Sequence, residues 1–320
     1  MASYRGAGVD LDGAGRHVSA ISPLVTATWG EMVVGGFGGF AAGVPVPEGY
    51  TKPILMMSTD GVGTKLELAR QSGIWDGVGF DLVAMCVDDL AAVGAKPIGF
   101  VDYMAVGALD SARDSAIVAS IASACAEAGC PLLGGETAEH PGVMASDAVD
   151  LAGAALGVVE SGEQLSPSAV EAGDLIIGLA SPNLRSNGFS LIRSLFTDDI
   201  PYEELLEPSV IYAPAVHAVK QPVKSAAHIT GGGLPGNLTR AIPPGLGVRI
   251  DRSTWQPAEI FQKVAAQGVD QTEMFHTFNM GIGFCLVVAP DDALGLIDDL
   301  SGFQATVIGT VTSTGEFELA

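Results

Sequence analysis

The chain has 320 residues, with 15 Lys+Arg against 37 Asp+Glu, a formal charge of −22 and a pI of about 4.3. An acidic surface repels both nucleic-acid phosphates and anionic lipid, which excludes them as main partners. With 48% hydrophobic and 16% charged residues the composition also excludes disorder, and the length predicts two domains, each able to bury a core.

No apolar stretch reaches the roughly 18 residues of a bilayer span, and MASYRGAGVDLDGAGRH at the start has no apolar signal core. Four scattered cysteines, Cys86, Cys125, Cys130 and Cys285, form no CxxC pair, so neither zinc nor a disulfide framework is expected. The expectation is a soluble, cytoplasmic protein.

In chain order, Ile54–Thr59 is an apolar run stopped by Asp60-Gly61, a strand feeding a loop. Phe80–Val93 carries apolar residues at helical spacing and ends at Gly94; Ile98–Val106 reads as a strand, Ser111–Ala128 as a helix capped by Gly129, and Val149–Val159 as a buried strand. Glu160–Gly173 has no apolar period and serves as linker. Beyond it, Asp174–Ala180, Ala226–Ile229, Val248–Ile250, Phe278–Ala289 and Ala305–Val311 read as strands. Asn187–Phe196, Pro208–Val219, Asn237–Ile242 and Asp291–Leu300 read as helices. The fold class is α/β of the α+β type, two mixed sheet-and-helix domains over residues 1–165 and 166–320.

Several segments carry chemistry. Gly35, Gly36, Gly38 and Gly39, around Phe37, expose consecutive N–H groups that can wrap an anion, as any flexible loop can. Ser58-Thr59-Asp60-Gly61-Val62-Gly63-Thr64-Lys65 is stronger: a strand ends in a hard oxygen for Mg²⁺, glycines permit close approach, and Lys65 offers a point charge to phosphate, the alternative being an ordinary strand-turn-helix junction. It is not a Walker A loop, because Leu66 stands where Ser or Thr belongs. Asp81 and Asp88 share a helix face with Asp89 about 100° away, and Glu136 follows Gly134-Gly135; Asp60, Asp89 and Glu136 together would suit a Mg²⁺ ion that also holds ATP. Gly231-Gly232-Gly233-Leu234-Pro235-Gly236 matches GxGxxG with Asp251 twenty residues on, but Pro243-Pro244 leaves too short a helix for a Rossmann crossover. Arg185, Ser186 and Asn187 open a helix and can cap it or bind phosphate. The five histidines show no metal-ligand spacing; His228, beside the glycines, is the one singled out.

Taken together, TDGVGTKL at 59–66, FDLVAMCVDDL at 80–90, GGETAEHPG at 134–142, RSNGFSLIR at 185–193, HITGGG at 228–233 and FNMGIG at 278–283, with YRGAGVDLD at 4–12, resemble the aminoimidazole ribonucleotide synthetase (phosphoribosylformylglycinamidine cyclo-ligase) family over nearly the whole chain. The resemblance implies ATP-dependent ring closure of formylglycinamidine ribonucleotide in purine biosynthesis, and a homodimer whose N-terminal sheets pair. It implies Asp60, Asp89 and Glu136 on Mg²⁺, with Asp60 and Lys65 catalytic. It further implies Gly35, Gly36, Gly38, Gly39, Gly61, Gly63, Thr64 and Lys65 on ATP, and Ser186, Asn187 and Thr230, Gly231, Gly232, Gly233 on the ribonucleotide; Arg185 joins the expected catalytic and substrate-binding residues through its own chemistry, as a fork onto phosphate oxygens. The chain departs from the family at Arg185, where His is usual and where a permanent cation cannot act as a base, at Asp88 for Asn, at Ser209-Val210, at His276 for Arg, and in a short stretch from Ser194 to Pro208. Two alternatives stay open: a related phosphotransferase with another acceptor, and a non-catalytic nucleotide-binding homologue.

Overall fold

The computed structural model describes residues 11–320, and most of the YRGAGVDLD motif lies outside them. Two compact units emerge. The first holds the residues up to Leu90, Lys96–Glu160 and Leu206–Ile211; the second holds Ala91–Ala95, Ser161–Leu205 and Tyr212–Ala320. The main boundary thus falls at Glu160/Ser161, five residues before the expected position, and two short segments belong to the unit opposite their chain neighbours.

Unit 1 contains α1 (Leu11–Thr26), β1 (Pro53–Gly61), α2 (Lys65–Ser72), α3 (Val78–Ala92, its last two residues counted with unit 2), β2 (Lys96–Val106), α4 (Ser111–Ala128), β3 (Leu132–Glu139) and β4 (Val149–Glu160). The sheet order is β1-β4-β2-β3. β4 is antiparallel to β1 and β2, while β2 and β3 run parallel, joined by α4 as such a pair requires. Asp110 caps α4 by accepting from the N–H groups of Ala112 and Arg113, and Gly129 closes it at φ 72°. The core is built from Leu82, Val83, Cys86 and Val87 of α3, Phe100 and Met104 of β2, and Ile117, Ile121 and Cys125 of α4, all buried. Each large side chain buried this way contributes about 1.5–3 kcal/mol. Within unit 1, α1, diluted by Gly13, Gly15 and Pro23, and the edge strand β3, which contains Gly134-Gly135, carry no clear apolar period in the sequence.

A buried ion pair ties the chain-distant segment 206–211 into unit 1. Lys65 Nζ lies 2.7 Å from Asp81 Oδ2 and also donates to the Glu207 carbonyl, while Ser209 donates its N–H and hydroxyl to Asp81 Oδ1. Burial pushes the Asp81 carboxyl up; the Lys65 charge and the Ser209 hydrogen bonds push it back down. This tether is why the helix expected over Pro208–Val219 is reduced to six residues in unit 2.

Unit 2 contains β5 (Leu175–Ala180), α5 (Phe189–Leu195), α6 (Tyr202–Leu205), α7 (Ala213–Ala218), β6 (Ser225–His228), α8 (Gly233–Leu238), β7 (Gly247–Ile250), α9 (Glu259–Ala265), α10 (Gln271–Thr277), β8 (Ile282–Val288), α11 (Ala293–Asp299), β9 (Thr306–Thr312) and β10 (Phe317–Leu319). Its sheet order is β10-β7-β9-β5-β8-β6, antiparallel except for β10 with β7. α8 starts at the third glycine of the triplet rather than at Asn237, and three strands separate β6 from β7, so no Rossmann unit exists there.

α3 and α4 cross where Gly79 meets Ser120 and Ile121; a Cβ at 79 would lie 2.1 Å from the Ile121 nitrogen. Gly79→Ala is expected to lower the unfolding free energy by at least about 1–3 kcal/mol in urea titration, because backbone, not a flexible side chain, occupies the space. Lys65→Met, which strands a buried carboxylate, should cost about 3–5 kcal/mol, and adding Asp81→Leu should recover most of the loss.

Candidate active site

The first half of the site is set by register. Asp60 of β1, Gly153 of β4, Asp102 of β2 and Gly135 of β3 form one transverse row; Gly61, Ala152, Tyr103 and Glu136 form the next. Side chains in one row share a face and those in adjacent rows oppose it. Asp60 and Asp102 therefore lie on the helix side, Tyr103 and Glu136 on the other. Gly153 is small because Phe100 fills its place, with Cζ 2.4 Å from where a Cβ would stand.

Asp60 and Asp89 fall in one neighbourhood. Ser58, two residues before Asp60 on the same face, has its Oγ 3.5 Å from Asp89 Oδ2, and both carboxylates add to the burial that pushes the Cys86 thiol up to about 12. Asp81 and Asp88 are fully buried while Asp89 is exposed, as the helical spacing requires. Glu136 is different. It sits on the strand at the opposite edge of the sheet, three spacings or about 14 Å from β1, and on the opposite face. The expected three-carboxylate metal site therefore does not assemble within one chain, and no group of three metal-ligating side chains occurs among the described residues.

The glycine segment does form a loop against the sheet. Val34 and Gly43 exchange two backbone hydrogen bonds of 2.7 and 2.9 Å at its neck, and Gly35 and Gly38 take φ of 107° and 80°. With α1 and the free edge of β3 it encloses a cavity of about 690 Å³, lined by Gly36, Gly38, Gly39, Phe37, Phe40, Asp102, Glu136, Thr137 and His17 among others. Glu136 and the glycine loop, 97 or more residues apart, thus meet in one place. A cavity of this size holds a nucleotide-sized ligand.

Lys65 is not at that cavity. Its ammonium is fully buried on Asp81, so in this arrangement it anchors α2 and α3 instead of presenting a charge to phosphate. Gly61 ends β1, and Gly63 and Thr64 lie between it and α2, with Gly63 at φ 69° and Thr64 exposed at the helix start.

In unit 2 two sequence-predicted loops come together: a Cβ on Gly231 would lie 3.4 Å from Asn187 Oδ1. Asn237 Nδ2 donates to the carbonyls of Thr230, Gly231 and Gly233, fixing the triplet as Gly232 and Gly233 take φ of 95° and 59°. The Ser186 hydroxyl is buried and has no hydrogen-bond partner among the described residues. Arg185 corrects the expected phosphate clamp. It is 1% exposed, its Nη1 donates to the Gly283 carbonyl, and its guanidinium lies 4.9 Å from the Tyr212 ring centroid. Its φ of 59° turns the side chain inward, where it packs the interior.

Sequence reasoning missed Asp102 and His17. Asp102 lies over Gly135, where a Cβ would come within 2.2 Å of its Oδ1, and burial pushes its carboxyl up to about 7. An unfolded Asp titrates near 3.9, so this group favours folding when protonated. Its stabilisation is complete below about pH 4 and is lost as pH rises through about 7. Asp102→Asn should remove that slope. The variant's stability advantage over the parent, read by urea unfolding between pH 4 and 7.5, should grow by about 1–2 kcal/mol, because contact with cavity water screens part of the effect.

Comparison with known proteins adds the lineage. Residues 42–159 match the AIR synthase related protein N-terminal domain and residues 171–320 its C-terminal domain. The chain is 44% identical over 335 aligned positions to the phosphoribosylformylglycinamidine cyclo-ligase of Sorangium cellulosum, covering 98% of this chain and 96% of that one. It is 42% identical to the enzyme of that name from Clostridium perfringens, covering 99% and 98%. Among solved structures, thiamine-monophosphate kinase from Stenotrophomonas maltophilia superposes with a TM-score of 0.67 at 17% identity, over 94% of this chain and 95% of the other. Hydrogenase maturation protein HypE in complex with ATP superposes with 0.68 at 19%, over 98% and 94%; these two likenesses establish the fold. A chain that matches both family domains and such relatives end to end belongs to the AIR synthase related family, alongside the phosphoribosylformylglycinamidine cyclo-ligases.

Proposed function

We propose that the protein catalyses the ATP-dependent cyclisation of formylglycinamidine ribonucleotide to aminoimidazole ribonucleotide, ADP and phosphate, in the cytoplasm. The observation that carries this is the near-complete alignment with relatives bearing the cyclo-ligase name. In support, the cavity of unit 1 combines the glycine loop with Glu136, and unit 2 joins the 186–187 and 230–233 loops.

In the reaction the formamide oxygen takes the γ-phosphoryl group of ATP, the amidine-side nitrogen attacks the activated carbon, and phosphate leaves as the ring closes. The exposed carboxylates of Asp60 and Asp89 are hard oxygen donors of the kind Mg²⁺ takes alongside phosphate oxygens, so the residues present fit the ion. Bound there, Mg²⁺ supplies neutralisation of the triphosphate charge in an otherwise acidic protein. The loop from Gly35 to Gly39 covers the nucleotide with backbone N–H groups, and Ser186, Asn187 and the Thr230–Gly233 loop orient the ribonucleotide.

The open face of the unit-1 sheet presents Leu55 and Met57, 52% and 76% exposed, together with Val101 and Tyr103. We assign that face to a second copy in a homodimer. With the two-fold along the axis of the resulting eight-stranded barrel, each seam joins β1 of one copy to β3 of the other. Glu136 of one copy then lies one strand spacing from the β1 edge of its partner instead of three, on the other face of the same seam from Asp60.

The direct test is incubation with Mg-ATP and formylglycinamidine ribonucleotide, measuring ADP and aminoimidazole product together; stoichiometric appearance of both is expected, whereas ADP released only with another acceptor would reassign the substrate. Asp60→Asn and Glu136→Gln should each abolish turnover. Mixing the two inactive variants under subunit exchange should restore about a quarter of the parent rate, since half the dimers then carry one intact site of two. No restoration would place both carboxylates in the same chain's site.

A further inference from the structure

His17 carries a feature that the nucleotide reading above does not use. It lies on α1 with 2% of its surface exposed, and it lines the glycine-loop cavity. Its Nε2 is 3.3 Å from Thr137 Oγ1, while its Nδ1 is buried and meets no hydrogen-bond partner among the described residues. A buried polar atom without a partner is costly, and sites that hold one commonly satisfy it with a ligand. The same cavity is lined by the apolar Val18, Ile21 and Phe37 and the exposed Phe40, and its charged side chains, Asp102 and Glu136, are acids. Such a wall accepts a flat heteroaromatic ring and not a triphosphate.

We propose that His17 is a specificity-determining residue whose Nδ1 hydrogen-bonds the edge of the nucleotide's base; the inference rests on the reading that ATP occupies this cavity. Two further facts agree. Burial lowers the His17 pKa against the opposing charge of Asp114, so the ring is neutral at pH 7 and suits an uncharged base better than a phosphate. The Thr137 hydroxyl, which both donates and accepts, follows whichever tautomer the base demands.

The experiment is calorimetric titration of the full chain with Mg-ATP and, separately, with magnesium tripolyphosphate. His17→Gln keeps an amide at the Nε2 position for Thr137 and loses the Nδ1 position; its Kd for ATP should rise about tenfold while its Kd for tripolyphosphate stays unchanged. His17→Asn places an amide at the Nδ1 position and should retain most of the ATP affinity. His17→Leu should behave like the Gln variant without lowering the thermal midpoint of the unliganded protein. Parent-like ATP binding by the Gln and Leu variants, or equal losses for ATP and tripolyphosphate, overturns the assignment of His17 alone. A parent protein that takes tripolyphosphate but shows no preference for ATP overturns base recognition here, and one that binds neither overturns the nucleotide reading as well.

Discussion

The buried contact between Lys65 and Asp81 ties together α2, α3 and the segment 206–211 of unit 1. Two opposite charges are withdrawn from water, and their desolvation is offset because nearby groups cooperate: the Glu207 carbonyl accepts a hydrogen bond from the ammonium and Ser209 donates two to the carboxylate. Lys65 is the first residue of α2, directly after the Gly63-Thr64 turn, and Asp81 stands in the first turn of α3, two turns before Asp89. The pair thereby sets the spacing between the loop that follows Asp60 and the helix that carries Asp89. A segment more than 120 residues downstream is held by the same carboxylate, so the acidic corner of unit 1 is coupled to the route of a distant part of the chain.

This also explains what a linear reading makes visible. β1, β2, β4, α3 and α4 announce themselves through apolar periodicity and through Gly94 and Gly129, because their faces are buried within one unit. β3 does not, because Gly135 answers to Asp102 across the strand pair and not to a strand's own propensity. Lys65 and Arg185 show the same limit at the site. Both are cations beside motif glycines, and side-chain chemistry alone sends them to phosphate; burial and the positions of Asp81, Tyr212 and Gly283 decide otherwise. Conversely folding brings Asn187 beside Gly231 and the glycine loop beside Glu136, while it keeps Glu136 apart from Asp60 and Asp89.

His17 marks a different boundary. A lone histidine on a glycine-diluted helix carries no motif, and no spacing rule distinguishes it from a core residue. Its interest arises only from the combination of depth, one satisfied nitrogen and one orphaned nitrogen at a cavity wall. The acid groups, by contrast, are chemically conspicuous in sequence yet divided in space by the width of a four-stranded sheet.

The fit of Asp102 over Gly135 has an evolutionary corollary. While a carboxylate occupies that space, position 135 accepts no side chain, whatever its polarity, so the two sites cannot drift independently. Replacing the glycine requires that the acid first be shrunk or redirected, which orders the permitted steps along this chain's mutational path.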